Sequence, residues 1–539
     1  MASNIRDTMR EGLAAGWKHI DASRLTEDLL LDTDVLIVGS GAGGGVAAEI
    51  LSAAGLDVVI VEEGPLWTTR DFRMREGEAY PNLYQESAAR KTADKAVNIL
   101  QGRCVGGSTT VNWASSFRTP ATTLAFWRDR FGLADYTPEA LQPWFEMVET
   151  RLNIGPWQRA PNANNALLRT GAATLGIPVG EIRRNVRDCW NLGYCGMGCP
   201  TGAKQSMLVT TIPTALGRGA TLLHRLRAER LVSTGNRIDA LECLAMQADG
   251  VHPRTIRWTL RARHFVLAAG AIGTPALLLR SKLPDPHGLT GARTFLHPTV
   301  VVAGRFTKAV HGHAGAPQSL YSDHFLEQFP IDGPLGFKLE VPPLHPVLFS
   351  TTLQGFADEH AAAMQEFTHT HAQLALLRDG FHSQSHGGRV ELRADGTPLL
   401  DYPLNEPIWE AARRALLAMA EIQFAAGALS VQAVHEQCKG YASWPQAKEG
   451  IAGLPLKPLL TRVVSAHVMG GAAMGASAAT SLTAPDGSLR AVDNVSVLDG
   501  SVFPTSIGAN PQLSVYAIAA RNASILTSRM TGKPAPPLA

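Results

Sequence analysis

The sequence has few of the features that mark nucleic-acid-binding, membrane-spanning or disulfide-rich proteins. Its net charge is only +2, and no dense run of Lys and Arg with interleaved aromatic residues occurs, so nucleic-acid binding has no support. Six cysteines in 539 residues are too few for a disulfide framework. The longest uncharged stretch, 501–520, contains Pro504, Gly508 and Pro511, which do not suit a membrane-spanning helix. The composition is that of a globular enzyme.

The first 33 residues also lack the pattern of a secretory signal. A signal peptide needs a basic patch, an apolar stretch and a small-residue cleavage site, whereas acids such as Asp7, Glu11 and Asp21 interrupt this segment. We therefore expect a protein without a signal peptide of its own, cytoplasmic or peripherally associated with a membrane. Export on the signal of a partner subunit stays open.

A strand, a glycine turn and a helix are present near the start of the chain. The apolar run 34–38 leads into Gly39-Ser40-Gly41-Ala42-Gly43-Gly44, and a second apolar run ends in Glu62. Gly39 permits the tight turn, Gly41 lets backbone amides approach a pyrophosphate, and Gly44 lets the helix pack on the strand. Glu62 is placed to accept hydrogen bonds from ribose hydroxyls. This pattern predicts dinucleotide binding and does not by itself separate FAD from NAD.

Four further segments carry a family resemblance: 102–112, 270–275, 465–471 and 495–523. In this order and at these distances they resemble the glucose-methanol-choline oxidoreductases, from about residue 33 to the C-terminus. Within that family the chain is similar to bacterial long-chain alcohol oxidases and dehydrogenases, and to the catalytic subunit of FAD-dependent glucose dehydrogenases. The resemblance implies that the dinucleotide is FAD.

The fold that the resemblance implies is α/β, with a discontinuous Rossmann-like FAD-binding domain and an inserted α+β substrate domain. The FAD-binding domain would comprise 33–130, 200–300 and 460–539. The substrate domain would comprise 131–199 and 301–459, and the cysteine-rich loop 189–199 would belong to it. The segment 407–428 is apolar at helical spacing with charges on its other face, which predicts one amphipathic helix there.

The resemblance also assigns the residues of the site. Those expected to bind FAD are Gly39, Gly41, Gly44, Glu62, Gly106, Gly107, Ser108, Asn112, Asp499 and Gly500. Some members attach the flavin covalently through a histidine in the loop 102–112. Val111 occupies the corresponding position here, so we expect non-covalent FAD.

His467 and Asn510 match the positions of the family's catalytic pair. A neutral imidazole can take the hydroxyl proton while hydride leaves the same carbon, and a hydrogen-bonding partner can hold the substrate oxygen in line. The alternative for His467 is an ordinary buried histidine with satisfied hydrogen bonds. His297-Pro298 also echoes a His-Pro of the family, and for it we favour a structural role.

Cys189, Cys195 and Cys199 lie within eleven residues and end in Cys-Pro. Zinc would need a fourth ligand, whereas three thiolates suit a three-iron (3Fe-4S) iron–sulfur cluster. The spacing resembles the cluster-bearing segment of the FAD-dependent glucose dehydrogenases. Two alternatives stay open: reduced cysteines in a glycine-rich loop, or one disulfide with a spare thiol.

The predicted function is FAD-dependent oxidation of an alcohol, a hydrophobic primary alcohol by preference, to an aldehyde or ketone. Hydride would pass to flavin N5 with His467 as base. The electron acceptor, whether oxygen, a quinone, a cytochrome or an electron-transfer partner subunit, is left open. Two other classes compete: an FAD-containing lyase of the same fold, similar to certain hydroxynitrile lyases, and a non-catalytic nucleotide-binding subunit.

Overall fold

Two eight-stranded sheets form the framework of the protein in a computed structural model that describes residues 5–538. The strands, in chain order, are β1 (His19–Asp21), β2 (Leu29–Val38), β3 (Val58–Glu62), β4 (Val97–Ile99), β5 (Ser115–Ser116), β6 (Ile154–Gly155), β7 (Gly180–Glu181), β8 (Arg183–Asn185), β9 (Thr221–His224), β10 (Leu226–Thr234), β11 (Arg237–Met246), β12 (Pro253–Leu267), β13 (Thr294–Leu296), β14 (Thr299–Arg305), β15 (Leu320–Ser322), β16 (Phe337–Glu340), β17 (Thr370–Leu377), β18 (Arg389–Leu392), β19 (Pro398–Asp401), β20 (Ser430–Ala433), β21 (Val463–Ser465), β22 (Val468–Gly470) and β23 (Val495–Val497).

Residues 5–538 also form fourteen α-helices. They are α1 (Thr8–Ala14), α2 (Ala42–Ala53), α3 (Glu76–Leu83), α4 (Ser108–Val111), α5 (Ala121–Phe131), α6 (Pro138–Arg151), α7 (Ala163–Thr174), α8 (Thr211–Gly217), α9 (Gly270–Ser281), α10 (Pro346–Ser350), α11 (Asp358–Gln365), α12 (Glu406–Ala425), α13 (Trp444–Ala452) and α14 (Gln512–Thr531). Within residues 5–538, no helix combines the length and the apolar character needed to cross a bilayer.

The first sheet has the strand order β1-β9-β3-β2-β12-β11-β10, and β23 also pairs with β12. Strands β3, β2, β12 and β23 run parallel to one another, and the second half of β2 is a buried run of Val, Leu and Ile. Such runs are typical of parallel strands covered on both faces. The carboxyl ends of these four strands therefore meet at one edge, where open α/β sheets bind ligands. This confirms the expected α/β fold.

The second sheet has the order β4-β21-β14-β17-β16-β15-β7, and β20 also pairs with β14. Its central pairs are antiparallel, and α12 packs on it. The α12 helix is the amphipathic helix predicted for 407–428: Asn405 caps it, and its buried side includes Ile408, Ala415 and Met419. Strands β4 and β21 belong to this sheet although they lie within segments assigned to the FAD-binding domain. The domain boundaries themselves stay a prediction.

Candidate active site

A cavity of about 620 Å³ is lined by residues of both sheets. Ten of the twelve residues predicted to bind FAD or to act in catalysis line it: Gly39, Gly41, Glu62, Gly107, Ser108, Asn112, His467, Asp499, Gly500 and Asn510. The other two, Gly44 and Gly106, do not line the cavity, but they belong to the two glycine turns whose other residues do. The three clustered cysteines do not line it.

The first glycine turn connects β2 to α2, and its glycines have different neighbours. Gly39 has φ +101°, and a Cβ on it would lie 2.3 Å from the Ala268 carbonyl oxygen. A Cβ on Gly44 would lie 1.9 Å from the carbonyl oxygen of Gly39. Gly43, which was not among the predicted residues, is closest packed, since its Cβ would come within 1.6 Å of the Leu498 carbonyl oxygen. Only Gly41 has room, because the nearest atom to its Cβ would be the Gly107 Cα at 3.9 Å.

Glu62 ends β3 and is buried beside this turn. Its carboxylate accepts hydrogen bonds from the Ser40 backbone N–H at 3.1 Å, the Ser40 hydroxyl at 2.5 Å and the Gly64 N–H at 2.9 Å. Burial raises the pKa of Glu62, against the lowering effect of these hydrogen bonds. Glu62 thus fixes the glycine turn as well as lining the cavity, and Ser40 is a site residue that the sequence motif left unassigned.

The second glycine loop lies directly against the first. Gly106 has φ +88° and its N–H donates to the Ser40 hydroxyl at 3.0 Å. Gly107 has φ +53°, and a Cβ on it would lie 2.8 Å from the Gly41 Cα. The two backbones can approach this closely because Gly107 lacks a side chain. Together the two loops form a cradle of backbone amides at the cavity wall.

A buried lysine side chain donates hydrogen bonds to the carbonyl oxygens at the end of this loop. Lys204 is buried, and its ammonium group donates to the carbonyl oxygens of Thr110 at 2.6 Å, Asn112 at 2.8 Å and Cys195 at 2.9 Å. Burial lowers the pKa of Lys204 to about 8. The Asn112 side chain donates to Gln512 Oε1 at 2.6 Å, which ties the loop to the start of α14. Neither Lys204 nor Gln512 was among the predicted site residues, although Gln512 lies within the segment 495–523 that carries the family resemblance.

Asp499 connects the ends of β12 and β23. Its carboxylate accepts hydrogen bonds from the Gly270 N–H at 2.8 Å and the Thr274 hydroxyl at 2.6 Å, both at the start of α9. Its other oxygen accepts from the Ser501 N–H at 2.8 Å. Burial raises the pKa of Asp499 in spite of these donors. Asp499 therefore orders two of the turns that line the cavity, including that of Gly500.

His467 lies between β21 and β22 and faces His297. The two Nδ1 atoms are 3.0 Å apart, and the Gly508 N–H donates to His297 Nε2 at 3.1 Å. Because that nitrogen accepts, the ring hydrogen of neutral His297 is on Nδ1 and points at His467. Burial lowers the pKa of His467 to about 4, and burial together with His467 lowers that of His297. Both rings are thus neutral at neutral pH.

Asn510 is two residues before α14 and is 4% exposed. Its Nδ2 donates to Glu340 Oε2 at 3.2 Å. Glu340 ends β16 and is wholly buried, and no sequence pattern singled it out. His467 and Asn510, predicted as a pair, line the same cavity. Each is held by one buried titratable residue, His297 or Glu340.

Cys189, Cys195 and Cys199 lie in the loop behind the second glycine loop. All three are partly buried and none forms a disulfide. Cys195 Sγ is 3.9 Å from the buried Arg184 guanidinium. Among residues 5–538, no three Cys, His, Asp or Glu side chains are grouped so that they could hold a metal ion. The structure therefore gives the expected iron–sulfur cluster no support.

Comparisons with known proteins identify the family of the chain. Family models described as GMC oxidoreductase match residues 80–299 and 383–519, and one described as FAD binding domain matches 32–73. An uncharacterized GMC-type oxidoreductase of Mycobacterium tuberculosis is 31% identical over 545 residues, covering 99% of this chain and 83% of its own. The long-chain-alcohol oxidase FAO4A of Arabidopsis thaliana is 28% identical over 523 residues, covering 93% of this chain and 69% of its own.

Solved structures show the same fold at low identity. Pyridoxine 4-oxidase from "Mesorbium loti" has a TM-score of 0.67 at 20% identity and covers 91% of this chain and 98% of its own. A formate oxidase of Aspergillus oryzae has a TM-score of 0.65 at 14% identity and covers 94% of this chain and 99% of its own. The chain belongs to the GMC oxidoreductase family, as the sequence predicted. It is an FAD-dependent oxidoreductase of the class that acts on CH–OH groups.

Proposed function

We propose that this protein oxidises an alcohol to an aldehyde or ketone, with His467 and Asn510 binding the hydroxyl group. The observation that carries the proposal is that this pair lines the same cavity as the two glycine turns. The cradle fits FAD, since Gly41 leaves space for a pyrophosphate beside the start of α2. When bound, FAD supplies the hydride acceptor, flavin N5. The residues of the chain hold the substrate oxygen and receive its proton.

His467 is proposed as the base, and its tautomer sets a condition on that role. His297 donates to His467 Nδ1, so neutral His467 carries its hydrogen on Nε2 and can donate to a hydroxyl oxygen. To take a proton at Nε2, His467 must first carry its hydrogen on Nδ1. The contact with His297 must then open, so His297 restrains the basic form of His467.

A hydrophobic primary alcohol is the proposed substrate class. The second sheet contributes Thr299, Leu374, Leu376 and Val464 to the cavity, and none of its described cavity-lining residues is charged. The charged lining residues, such as Glu62 and Arg103, belong to other segments. Burying an apolar chain on this wall is favourable. The names of the plant relatives, long-chain-alcohol oxidases, point the same way and favour oxygen as the acceptor over a quinone or cytochrome.

The test of the proposed function is anaerobic reduction of the flavin by a primary alcohol such as 1-octanol. Replacing His467 by Ala should slow this reduction by roughly 100-fold or more, the usual scale for a positioned general base, without loss of FAD. His287→Ala, which removes an exposed imidazole, is the control and should reduce at the wild-type rate. If the wild-type flavin stays oxidised while the protein cleaves a cyanohydrin, the lyase alternative is right. If it stays oxidised and no turnover is found, the chain is a non-catalytic subunit.

The iron–sulfur cluster at Cys189, Cys195 and Cys199 stays a prediction from their spacing. If it forms, iron and acid-labile sulfide should copurify with anaerobically handled protein in near-stoichiometric amounts. Iron-free protein with three titratable thiols at these positions would overturn it. That outcome would leave the proposed oxidation untouched, since His467 and Asn510 lie elsewhere.

A further inference from the structure

Glu340 and Asn510 form a buried pair in which each partner has one unused oxygen. Asn510 Nδ2 donates to Glu340 Oε2 at 3.2 Å, which leaves Glu340 Oε1 and Asn510 Oδ1 as buried atoms without a hydrogen-bond partner in the described structure. A buried acceptor without a partner costs about 1–3 kcal/mol, so each such atom calls for an explanation. Asn510 lines the cavity, whereas Glu340 lies behind it.

The chemistry of the two groups allows two arrangements. An ionised carboxylate can only accept, so it holds the NH2 group of Asn510 and the amide oxygen is directed elsewhere. A protonated carboxyl group can donate, and it can then bind Oδ1 of an amide turned by 180°. In that second arrangement the NH2 group of Asn510 is free to face the cavity.

We propose that Glu340 is a positioning residue that sets which end of the Asn510 amide faces the substrate. This rests on the proposed function, in which Asn510 binds the substrate oxygen. With Glu340 ionised, Asn510 offers an acceptor, which competes with His467 for the hydroxyl hydrogen. With Glu340 protonated, Asn510 offers a donor to the oxygen, and the hydroxyl hydrogen is left to His467. The productive state is therefore the one with Glu340 protonated.

The surroundings of Glu340 allow both states near neutral pH. Burial raises the pKa of Glu340 to about 7, while Lys338 and Asn510 lower it and Asp323 raises it. Lys338 is two residues earlier on β16, and its ammonium group is 2.6 Å from Asp323 Oδ1. Opposite Glu340, β15 contributes Tyr321, and β17 contributes Leu374, which does not titrate.

The sign of the pH dependence follows from these states. As the pH rises above the pKa of Glu340, the protonated fraction falls roughly tenfold per pH unit, and flavin reduction should fall with it. Glu340→Gln cannot ionise, and its amide can donate to Asn510 Oδ1 at every pH. The variant should therefore lose the alkaline decline, and at alkaline pH it should reduce flavin at least tenfold faster than wild type. Glu181→Gln, which removes an exposed carboxylate from the same sheet, should keep the wild-type profile.

The experiment combines this profile with infrared difference spectra of the holoprotein taken on the acid and alkaline sides of neutrality. A protonated carboxyl band that titrates near neutrality in wild type and is missing in Glu340→Gln, together with the loss of the alkaline decline, supports the proposal. Identical pH profiles for wild type and Glu340→Gln overturn it while leaving the proposed function intact. If 1-octanol and other alcohols fail to reduce the wild-type flavin, the proposed function fails and the role of Glu340 falls with it.

A second variant covers the case in which Glu340→Gln does not fold. Asn510→Ala has no amide that can turn, so its flavin reduction, slower throughout, should lack the alkaline decline of wild type. An alkaline decline in that variant equal to that of wild type would mean that Glu340 does not act through Asn510, and it would overturn the proposal.

Discussion

Replacing Gly41 by Ala separates cofactor binding from folding. Gly41 has φ −71° and ψ −158°, which alanine can adopt, and its new Cβ would have only the Gly107 Cα within 4 Å, at 3.9 Å. The apoprotein should therefore keep its stability to within about 0.5 kcal/mol. The added methyl group would instead occupy the space beside the start of α2 that is proposed to hold the pyrophosphate.

The expected loss of FAD affinity follows from the hydrogen bonds at that position. If the methyl group moves the pyrophosphate away from one backbone N–H, one hydrogen bond to a charged group is lost, worth about 1.5–3 kcal/mol. At about 1.4 kcal/mol per factor of ten, the Kd for FAD should rise about 10- to 150-fold. The neighbouring Gly43→Ala should behave differently, because its Cβ would lie 1.6 Å from the Leu498 carbonyl oxygen and the fold itself must shift.

The assay is titration of apoprotein with FAD, followed by quenching of flavin fluorescence, alongside denaturant unfolding of the apoprotein. Gly77→Ala is the matched control, since a Cβ there meets no atom within 4 Å and Gly77 does not line the cavity. It should bind FAD as wild type does. Unchanged FAD affinity in Gly41→Ala would refute the placement of the pyrophosphate at this turn.

Three further outcomes are expected. His297→Ala removes the donor that faces His467 Nδ1, so the pKa of His467 should rise from about 4. The acid limb of the pH profile of flavin reduction should then move to higher pH. An acid limb at the wild-type position would contradict the contact between the two rings. Acid precipitation should release all the FAD into the supernatant, because Val111 offers no atom for a covalent link, and colour left in the pellet would show that another residue forms one. Gly107→Ala should lower the free energy of unfolding by about 1–3 kcal/mol, because a residue with a side chain disfavours φ +53° and ψ −145°. A denaturation curve like that of wild type would count against this backbone geometry.

The residues predicted from the sequence were those that belong to local patterns. The strand, glycine turn and helix around Gly39 are contiguous in the chain, so their geometry could be predicted without knowledge of the fold. The same holds for α12, whose apolar spacing predicts both its existence and its buried face. His467 and Asn510 were identified from motifs, and the structure brings both to one cavity.

Glu340 was not predicted, and His297 was predicted to have only a structural role, because both act through contacts between distant segments. His297 and His467 are 170 residues apart, and so are Glu340 and Asn510. A buried acid at the end of a strand, such as Glu340, has no local pattern that distinguishes it from an exposed one. Lys204 illustrates the same limit, because its three acceptors are backbone carbonyl oxygens, which no side-chain pattern reveals.

The electrostatic character of the cavity around His467 and Asn510 follows from one physical cause. Burial lowers the pKa of His467 to about 4 and raises that of Glu340 to about 7, since desolvation disfavours the charged form of either group. Between these two pH values, His467 and Glu340 at the proposed substrate site are thus both largely uncharged. A substrate with a charge near its hydroxyl would be desolvated there without a counter-charge, which is costly.

The length of the alcohol's apolar chain should therefore decide which substrates are preferred. Each methylene added to a linear primary alcohol buries more surface against Leu374, Leu376 and Val464, worth about 0.8 kcal/mol if fully buried. The value of kcat/KM should rise by up to about fourfold per methylene, in line with that transfer energy, until the chain reaches the end of the cavity. The measurement is anaerobic flavin reduction with a series of linear alcohols, with the matching ω-hydroxy acids as the comparison. Equal or faster reduction by the ω-hydroxy acids of short chain would refute the uncharged, apolar character assigned to this end of the site.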